Sequence, residues 1–478
     1  MEERMRGLKK FFLTLLLVLP FVLGMIGFIL AGENLPDAMY GALNLYVINT
    51  YLDEKNICIE LARWLAPLAS VSGLMLVIKG AWQRVKEFFR GLRKDSVTVY
   101  CDDEETGMVL LKQLKHGILS TDGRLRRTPE QILLLKNDMD NLNFYRRNKE
   151  FFDKKRVYMK LEKVDSFLLK KNSVRFFDLE ELVARQYWLT HSLQEHCRDN
   201  SLYMKIAIVG FDSMGQKILN YGRLNNIYAL NQCIEYHVWG VCSLYQSSYD
   251  DTQMQNADRI IFHGGAWQED MDKLVQMDRI IITERDNLRL LQELLYVCND
   301  KEIHYYCEGE ALLENVFGAE GLKSFGQRAK VLTVNNIKGD ETYRFAKQIN
   351  YQYYCLYGGE PVDQKNREKR TEELGEELDG FTKGSNIAAA DYHEIRRRML
   401  LKAAGEKYDM EALSELEHIR WCRYHYLNHW KYGVPENGKS KDVYRKIHKC
   451  LVPYAELSQE DKEKDTETVK LLLALKGV

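Results

Sequence analysis

The sequence predicts an α/β protein with membrane helices: a two-helix hairpin leads, tandem α/β units follow, and a small helical module closes the chain. Three observations predict this. Phe11 to Ala31 is an uncharged run of 21 residues, about 31 Å long as a helix, which matches the hydrocarbon core of a bilayer. From Asp95 onward, short β-branched stretches alternate with helical ones, the pattern of sheets with helices on their faces. From Tyr392 the chain becomes helical and dense in aromatic and charged residues. A length of 478 residues predicts several domains, and a net charge of −1 offers no basic footprint for a nucleic-acid partner.

Residues 1–94 form the predicted transmembrane hairpin. Its second span runs from Trp64 to Ile78, with Lys79 placed to snorkel and Trp82 to sit at the interface. The first run has the basic flank of a signal peptide, but its apolar core is too long for one and Ala31-Gly32-Glu33 is a poor cleavage site. Arg4, Arg6, Lys9 and Lys10 precede the first span; Lys79, Arg84, Lys86, Arg90, Arg93 and Lys94 follow the second. The connection carries Glu33, Asp37, Asp53, Glu54 and Glu60, with Lys55 its only base before Arg63. Positive residues stay inside, so a multi-pass protein of the cell inner membrane with both termini cytoplasmic is expected, with the lipid bilayer as a partner. The ten cysteines are scattered from Cys58 to Cys450 without a Cys-x-x-Cys pair. They read as core thiols of a reducing compartment, and no metal site is expected.

Between the spans, Glu33 to Tyr51 (ENLPDAMYGALNLYVINTY) is amphipathic enough for a short re-entrant or interfacial helix. Its place, between two spans and ahead of an α/β region, resembles the pore helix of two-span potassium channels. No Thr-x-Gly-Tyr-Gly run follows, so the carbonyl ladder that strips water from potassium is missing. The segment reads either as a channel-derived hairpin without a potassium filter or as an extracytoplasmic amphipathic loop.

In the α/β part, strands are predicted at Ser96–Cys101, Ile132–Leu135, Val157–Leu161 and Val174–Phe177. A second cycle follows at Lys205–Val209, Ile234–Val241, Arg259–His263, Arg279–Ile282, Ile303–Tyr306 and Val331–Val334. Asp140-Asn141-Leu142 and Asp286-Asn287-Leu288 stand 146 residues apart, as do Val157-Tyr158 and Ile303-His304. The cycles therefore read as a duplication, with Rossmann-like units over 95–200 and 201–359. The first is expected to be abbreviated, for want of a counterpart to Ile234–Val241. Residues 360–391, polar and rich in Glu, read as a linker.

The strand-to-helix turn of a Rossmann-like unit is glycine-rich so that backbone amides can approach a pyrophosphate. In the second unit the turn is Gly210-Phe211-Asp212-Ser213-Met214-Gly215. Gly210 and Gly215 hold the outer positions, and Met214 opens the helix. Asp212 replaces the middle glycine with a carboxylate that repels phosphate. Trp239-Gly240 stands where an acid should hold a ribose. The first turn, Asp102 to Gly107, has four acids at the phosphate position. The first unit reads as scaffold; the second is open to a cofactor at Gly210, Asp212, Ser213 and Gly215 or to a scaffold role alone. The run KIAIVGFDSMGQKIL and the strand order resemble the NAD-binding fold called TrkA-N, found in cytoplasmic domains that regulate potassium conductance. The resemblance covers about Asp95 to Cys355. It implies homo-oligomers, dimers or tetramers, that respond to nucleotides or ions. Asp212 and the acidic first turn depart from it.

In the closing module, Leu416, Trp421, Tyr424 and Leu427 recur at helical spacing. Glu417, His418, Arg420, Trp421, Trp430 and Tyr432 cluster, and Val452-Pro453-Tyr454 follows with an Asp-containing helix. The order Glu-His-x-x-Trp, Trp-x-Tyr-Gly, Val-Pro-Tyr-x-x-Leu resembles the ryanodine-receptor repeat (RyR) domain in its prokaryotic form, over about 392–478. The resemblance implies a small helical fold, suspected of binding nucleotide-like ligands and found in conflict-system proteins. Aromatic rings with Arg and Glu suit a purine: rings stack on the base, Arg meets phosphate, and Glu accepts from ribose or amine. Candidate ligand residues are Glu417, His418, Arg420, Trp421, Trp430, Tyr432 and Tyr454. The tryptophans serve equally as core, and Glu417 with His418 as a structural hydrogen bond. His425 and His429, without a companion carboxylate, read as surface.

These readings imply a membrane-anchored effector gated by a cytosolic nucleotide or nucleotide-derived second messenger, with antiphage defence as a setting taken from the resemblance. The alternative is a non-conducting, membrane-tethered sensor or scaffold. No nucleophile–base pair or metal cluster is legible, so no enzyme is expected and no catalytic residue is assigned.

Overall fold

The computed structural model describes residues 18–47, 56–163, 174–197, 202–240, 243–285, 287–298, 300–309, 321–359, 365–402, 409–436 and 438–475. The chain divides into two compact units, Met1–Lys94 and Asp95–Val478.

In the first unit a helix over 18–30 precedes α1 (Leu35–Asn44), a 3-10 turn (Leu45–Val47) and α2 (Ile57–Gly91). Asn34 caps α1, accepting from the Asp37 amide at 3.1 Å, and Pro36 stands in the first turn, where a missing N–H is harmless. Asn56 caps α2 in the same way, accepting from the Cys58 amide at 2.9 Å. Small residues let these elements approach closely. A Cβ at Gly27 would stand 2.6 Å from Ile59 Cγ1, and one at Gly41 would stand 2.8 Å from the Phe28 ring. Phe28, Ala38, Ala62 and Ala66 are fully buried between them. The outer faces reverse the water-soluble pattern: Ile57 and Trp64 are 77% and 76% exposed, and Leu30, Val47 and Phe88 are exposed as well. No helix among the described residues is long and apolar enough to cross a membrane. Residues 11–17 of the first predicted span, and the side chains at 72–74 and 76–78 of the second, lie outside the described residues.

The second unit holds two parallel sheets. The first has β1 (Val97–Cys101), β2 (Gly117–Ser120), β3 (Glu130–Leu134), β4 (Arg156–Lys160) and β5 (Val174–Phe177) in the order β2-β1-β3-β4-β5. The second has β6 (Tyr203–Val209), β7 (Cys233–Trp239), β8 (Arg259–His263), β9 (Arg279–Ile282), β10 (Glu302–Tyr306) and β11 (Leu322–Phe325). Its order is β11-β10-β9-β6-β7-β8, that of a dinucleotide-binding fold. These strands, such as Ile206–Val209, are buried on both faces and read as continuous apolar runs because helices cover the sheet on both sides.

Three expectations change. The first sheet does contain a partner for its leading strand: β2 pairs with β1 as β7 pairs with β6. It is only four residues long and was illegible as a strand; the element without a described counterpart is β8. Val331–Val334 is not a strand. It ends a helix at Arg328–Val331 and begins another at Val334–Lys338. Leu332 and Ile337 there bury in the core of the first sheet, which is why the run is apolar. Finally, of the expected linker at 360–391, residues 360–364 lie outside the described residues and the rest is mostly helical. Arg367–Glu377 is a helix, and its Leu374 and Thr371 are buried. It packs on α6 (Asp340–Tyr357), where Lys347 pairs with Glu372. The next helix, α7 (Gly380–Lys402), runs unbroken across the expected boundary at 391. The remaining helices that concern the site are α3 (Glu104–Leu111), α4 (Leu179–Thr190), α5 (Ser213–Asn225), α8 (Met410–Leu427) and α9 (Gln459–Leu475). Three two-residue strands, Lys431–Tyr432, Lys441–Asp442 and Ile447–His448, form a small sheet after α8.

Candidate ligand pocket and the two strand-to-helix turns

Both strand-to-helix turns are sealed by their own acids. In the second unit Gly210 takes φ +93°, which a side chain would resist, and a Cβ at Gly215 would stand 2.3 Å from the Gly210 carbonyl oxygen. The two glycines thus do the steric work of a Rossmann turn. Asp212 caps α5, its Oδ1 accepting from the amides of Met214 at 3.1 Å and Gly215 at 3.3 Å. The carboxylate occupies the anion site that phosphate would use. Ser213 is exposed at the helix start. In the first unit Asp103 caps α3 through the amides of Glu105 and Thr106, and Asp102 accepts from the Lys136 amide at 2.8 Å, at the end of β3. In each turn an aspartate side chain thus caps two amides of the helix's first turn.

The carboxy-terminal region is different. A cavity of about 290 Å³ lies where α6, α7, α8, α9 and the small sheet meet. Glu417, His418, Arg420 and Trp421, predicted as ligand residues, all line it. One helix brings them together, because i, i+3 and i+4 positions share a face. Glu417 and Arg420 form a bidentate pair. Arg420 Nε donates to Glu417 Oε2 at 3.0 Å and Nη2 donates to Oε1 at 2.7 Å, with both side chains almost fully buried. His393 Nε2 stands 3.2 Å from the same carboxylate. Burial alone would raise the Glu417 pKa, but the guanidinium and the imidazole outweigh it and hold the carboxyl at about 2.

His418 bridges two elements: Nδ1 lies 3.1 Å from Asp465 Oδ2 on α9, and Nε2 lies 2.9 Å from the Val452 carbonyl oxygen. With an acceptor at each nitrogen, the ring is held as an imidazolium. Burial opposes that charge, yet its neighbours, Cys422 and Asp465, outweigh burial and keep its pKa above the ordinary histidine value. Cys422 lies 3.3 Å from His418 Nε2, fully buried, with its thiol pKa raised by burial. Trp421 stacks on His418 at 5.7 Å and remains partly exposed at the cavity.

The other predicted ligand residues lie elsewhere. Trp430 is buried against Phe381, with ring centroids 5.1 Å apart, and is core. Tyr432 is exposed on the small sheet. Tyr454 is buried beneath Lys462, whose Nζ stands 4.8 Å from the ring centroid. His425, expected at the surface, is buried in the cavity wall, because Trp421, Phe381 and Trp430 close around it. Sequence reasoning missed Asn350, Phe381, His448 and Lys464, which also line the cavity. Asn350 and Phe381 come from α6 and α7, and nothing in the amino-acid order brings those helices beside α8.

The opposite face of α8 plugs into the second Rossmann unit. Arg423 is fully buried and donates to the carbonyl oxygens of Met254 and Arg223, both at 2.9 Å, to Asn256 Oδ1 at 2.7 Å and to Asp258 Oδ2 at 2.8 Å. Arg185 on α4 pairs with Asp391 on α7, and the Tyr392 hydroxyl donates to the Ile227 carbonyl oxygen at 2.9 Å.

Residues 398–476 match the family model of the RyR domain, so the resemblance rests on α8, the small sheet and α9. Two similar solved structures are the GsuK channel and GsuK bound to ADP. The first shares 13% identity at a TM-score of 0.32, over 70% of this chain and 97% of that one. The second shares 13% identity at 0.33, over 69% and 97%. A likeness of this size bears on neither ligand nor mechanism. No curated protein matches the chain.

Proposed function

We propose that this protein is a membrane-anchored effector controlled by a small nucleotide-like ligand bound in the cavity of its RyR-matching module. The observation that carries the reading is the cavity itself: a buried Glu417–Arg420 pair and a partly exposed tryptophan face one space of about 290 Å³. That volume stands at the small end of ligand sites and suits one nucleotide rather than a dinucleotide. The ring of Trp421 offers a face for the base, and α8 carries any shift to the second Rossmann unit through Arg423. The bilayer is the partner of residues 1–94, a reading supported by the exposed apolar faces of that unit and by basic residues on both flanks of the hairpin. Rossmann-like regions of the TrkA-N kind assemble with copies of themselves, and a homodimer or homotetramer is the state in which hairpins would join as a pore. Antiphage defence is the setting the RyR resemblance suggests. The protein works without catalysis: Cys422, His418 and Asp465 fall in line, but the sulfur is fully buried and His418 has no lone pair to act as base.

A tether that conducts nothing is the second reading. Close packing of Gly27 on Ile59 and Gly41 on Phe28 favours it, because the described helices of one copy pack directly on each other.

Full-length protein in liposomes, assayed for ion flux during a nucleotide screen, separates the readings. Flux that rises with a nucleotide recovered intact is the expected result. Binding without flux selects the tether, and turnover of the nucleotide overturns both.

A further inference from the structure

Among the described residues, two buried donors at the cavity have no partner. Arg420 spends Nε and Nη2 on Glu417, while its Nη1 meets nothing; Asn350 Nδ2 on α6 is equally without an acceptor. Both residues line the cavity, and they are 2% and 3% exposed. A donor left unpaired in the interior is costly, so native proteins leave few. The acids around them are already engaged: Glu417 by Arg420, Asp465 by His418, and Asp461 by Lys464 at 2.7 Å. The unmet demand of the cavity is therefore for acceptors. Two single donors, one on α6 and one on α8, suit a group with two free oxygens and one charge. A terminal phosphate chain would bring more negative charge against Glu417, Asp461, Asp465 and Glu467, whose carboxylates all belong to residues that line this cavity.

We infer that the cavity takes a nucleotide through a phosphodiester whose two non-bridging oxygens accept from Arg420 Nη1 and Asn350 Nδ2. This rests on the nucleotide reading above and adds the charged group and its second donor. It also makes the site composite, because Asn350 lies outside residues 398–476. The helix that carries it follows directly on Arg328–Lys338, a segment tied into the first sheet. There Arg328 Nη1 donates to Thr106 Oγ1 at 2.6 Å, Lys338 Nζ to Glu130 Oε2 at 2.5 Å, and Leu332 and Ile337 are buried. A ligand that joins α6 to α8 is thereby read by both Rossmann units.

The test is calorimetric titration of full-length protein in detergent with cyclic AMP and cyclic GMP, each against its nucleoside and its triphosphate. A cyclic nucleotide should bind at least tenfold more tightly than its nucleoside, and the triphosphate no more tightly than the cyclic form. Asn350→Asp, which turns a donor into an acceptor, should weaken the cyclic nucleotide at least tenfold and leave the nucleoside within twofold. Asn350→Leu should do the same, and supplies the answer if the first variant fails to fold. If no compound binds, the nucleotide reading falls and this inference with it. If the triphosphate binds best, or the Asn350 variants weaken nucleoside and cyclic nucleotide alike, the inference is overturned while the nucleotide reading stands.

Discussion

Arg423 shows how much one side chain can bear. It is fully buried, and its four hydrogen bonds satisfy two carbonyl oxygens, an amide and a carboxylate that have no solvent to turn to. Arg423→Ala should cost roughly 3–5 kcal/mol, because Asp258 would be left charged and buried. Urea unfolding of the variant measures it; a loss below about 1 kcal/mol would mean the pair is dispensable. His425 supplies a pH dependence. Burial lowers its pKa from 6.5 to about 3, so the folded protein keeps the ring neutral. A depressed imidazole pKa gives stability that is full above pH 6.5 and lost as pH falls toward 3, because the unfolded chain takes up the proton first. Between pH 6.5 and 5 the loss from His425 is about 2 kcal/mol. His425→Gln should flatten that slope in pH-dependent thermal unfolding, and an unchanged slope would refute the assignment. His393 and His448 are lowered to about 4 for the same first reason, burial, and keep a residual slope in the variant.

At the scale of elements, the strand-to-helix turn of the second Rossmann unit tests a different idea. Its glycines hold the geometry of a phosphate loop, while Asp212 places its own carboxylate on the amides. Asp212→Gly should cost only a few tenths of a kcal/mol, since glycine is itself a tolerated cap. It should also open the amides of Met214 and Gly215, so that NAD or ADP binds the variant measurably more tightly than the parent in equilibrium dialysis. Equal binding would show that the turn is unsuited to phosphate for reasons beyond the aspartate. The departure at Asp212 was legible in the amino-acid order, since a carboxylate in a glycine's place is a chemical contradiction on its face. The helices at Arg367–Glu377 and Gly380–Lys402 were not. Their Glu, Lys and Arg content looks like solvated linker, and only the buried face formed by Leu374, Ala388 and Ala389 against their neighbours makes them structural.

At the scale of the whole molecule, the first unit is held together by what its residues lack. Gly27 meets Ile59, and Gly41 meets Phe28, with no room for a methyl group. Gly27→Leu should force the packed helices apart and cost about 1–3 kcal/mol. The readout is the thermal midpoint of full-length protein in detergent, with Leu30→Met, at an exposed position, as the neutral control. An unshifted midpoint would show that this contact does not hold the unit together.

By itself the amino-acid order determined the alternation of strand and helix, the two strand-to-helix turns and the face of α8 that carries Glu417, His418, Arg420 and Trp421. Those are properties of neighbours along the chain: period, turn chemistry and residues three or four apart. Only the tertiary structure decided which of the predicted ligand residues share a space. Trp430, Tyr432 and Tyr454 have the right chemistry and stand away from the cavity, whereas Asn350 and Phe381, with no local mark, line it. A pocket is made of surfaces from distant helices, and the packing of α6 and α7 on α8 depends on shape and burial across the whole second unit, which no local pattern encodes.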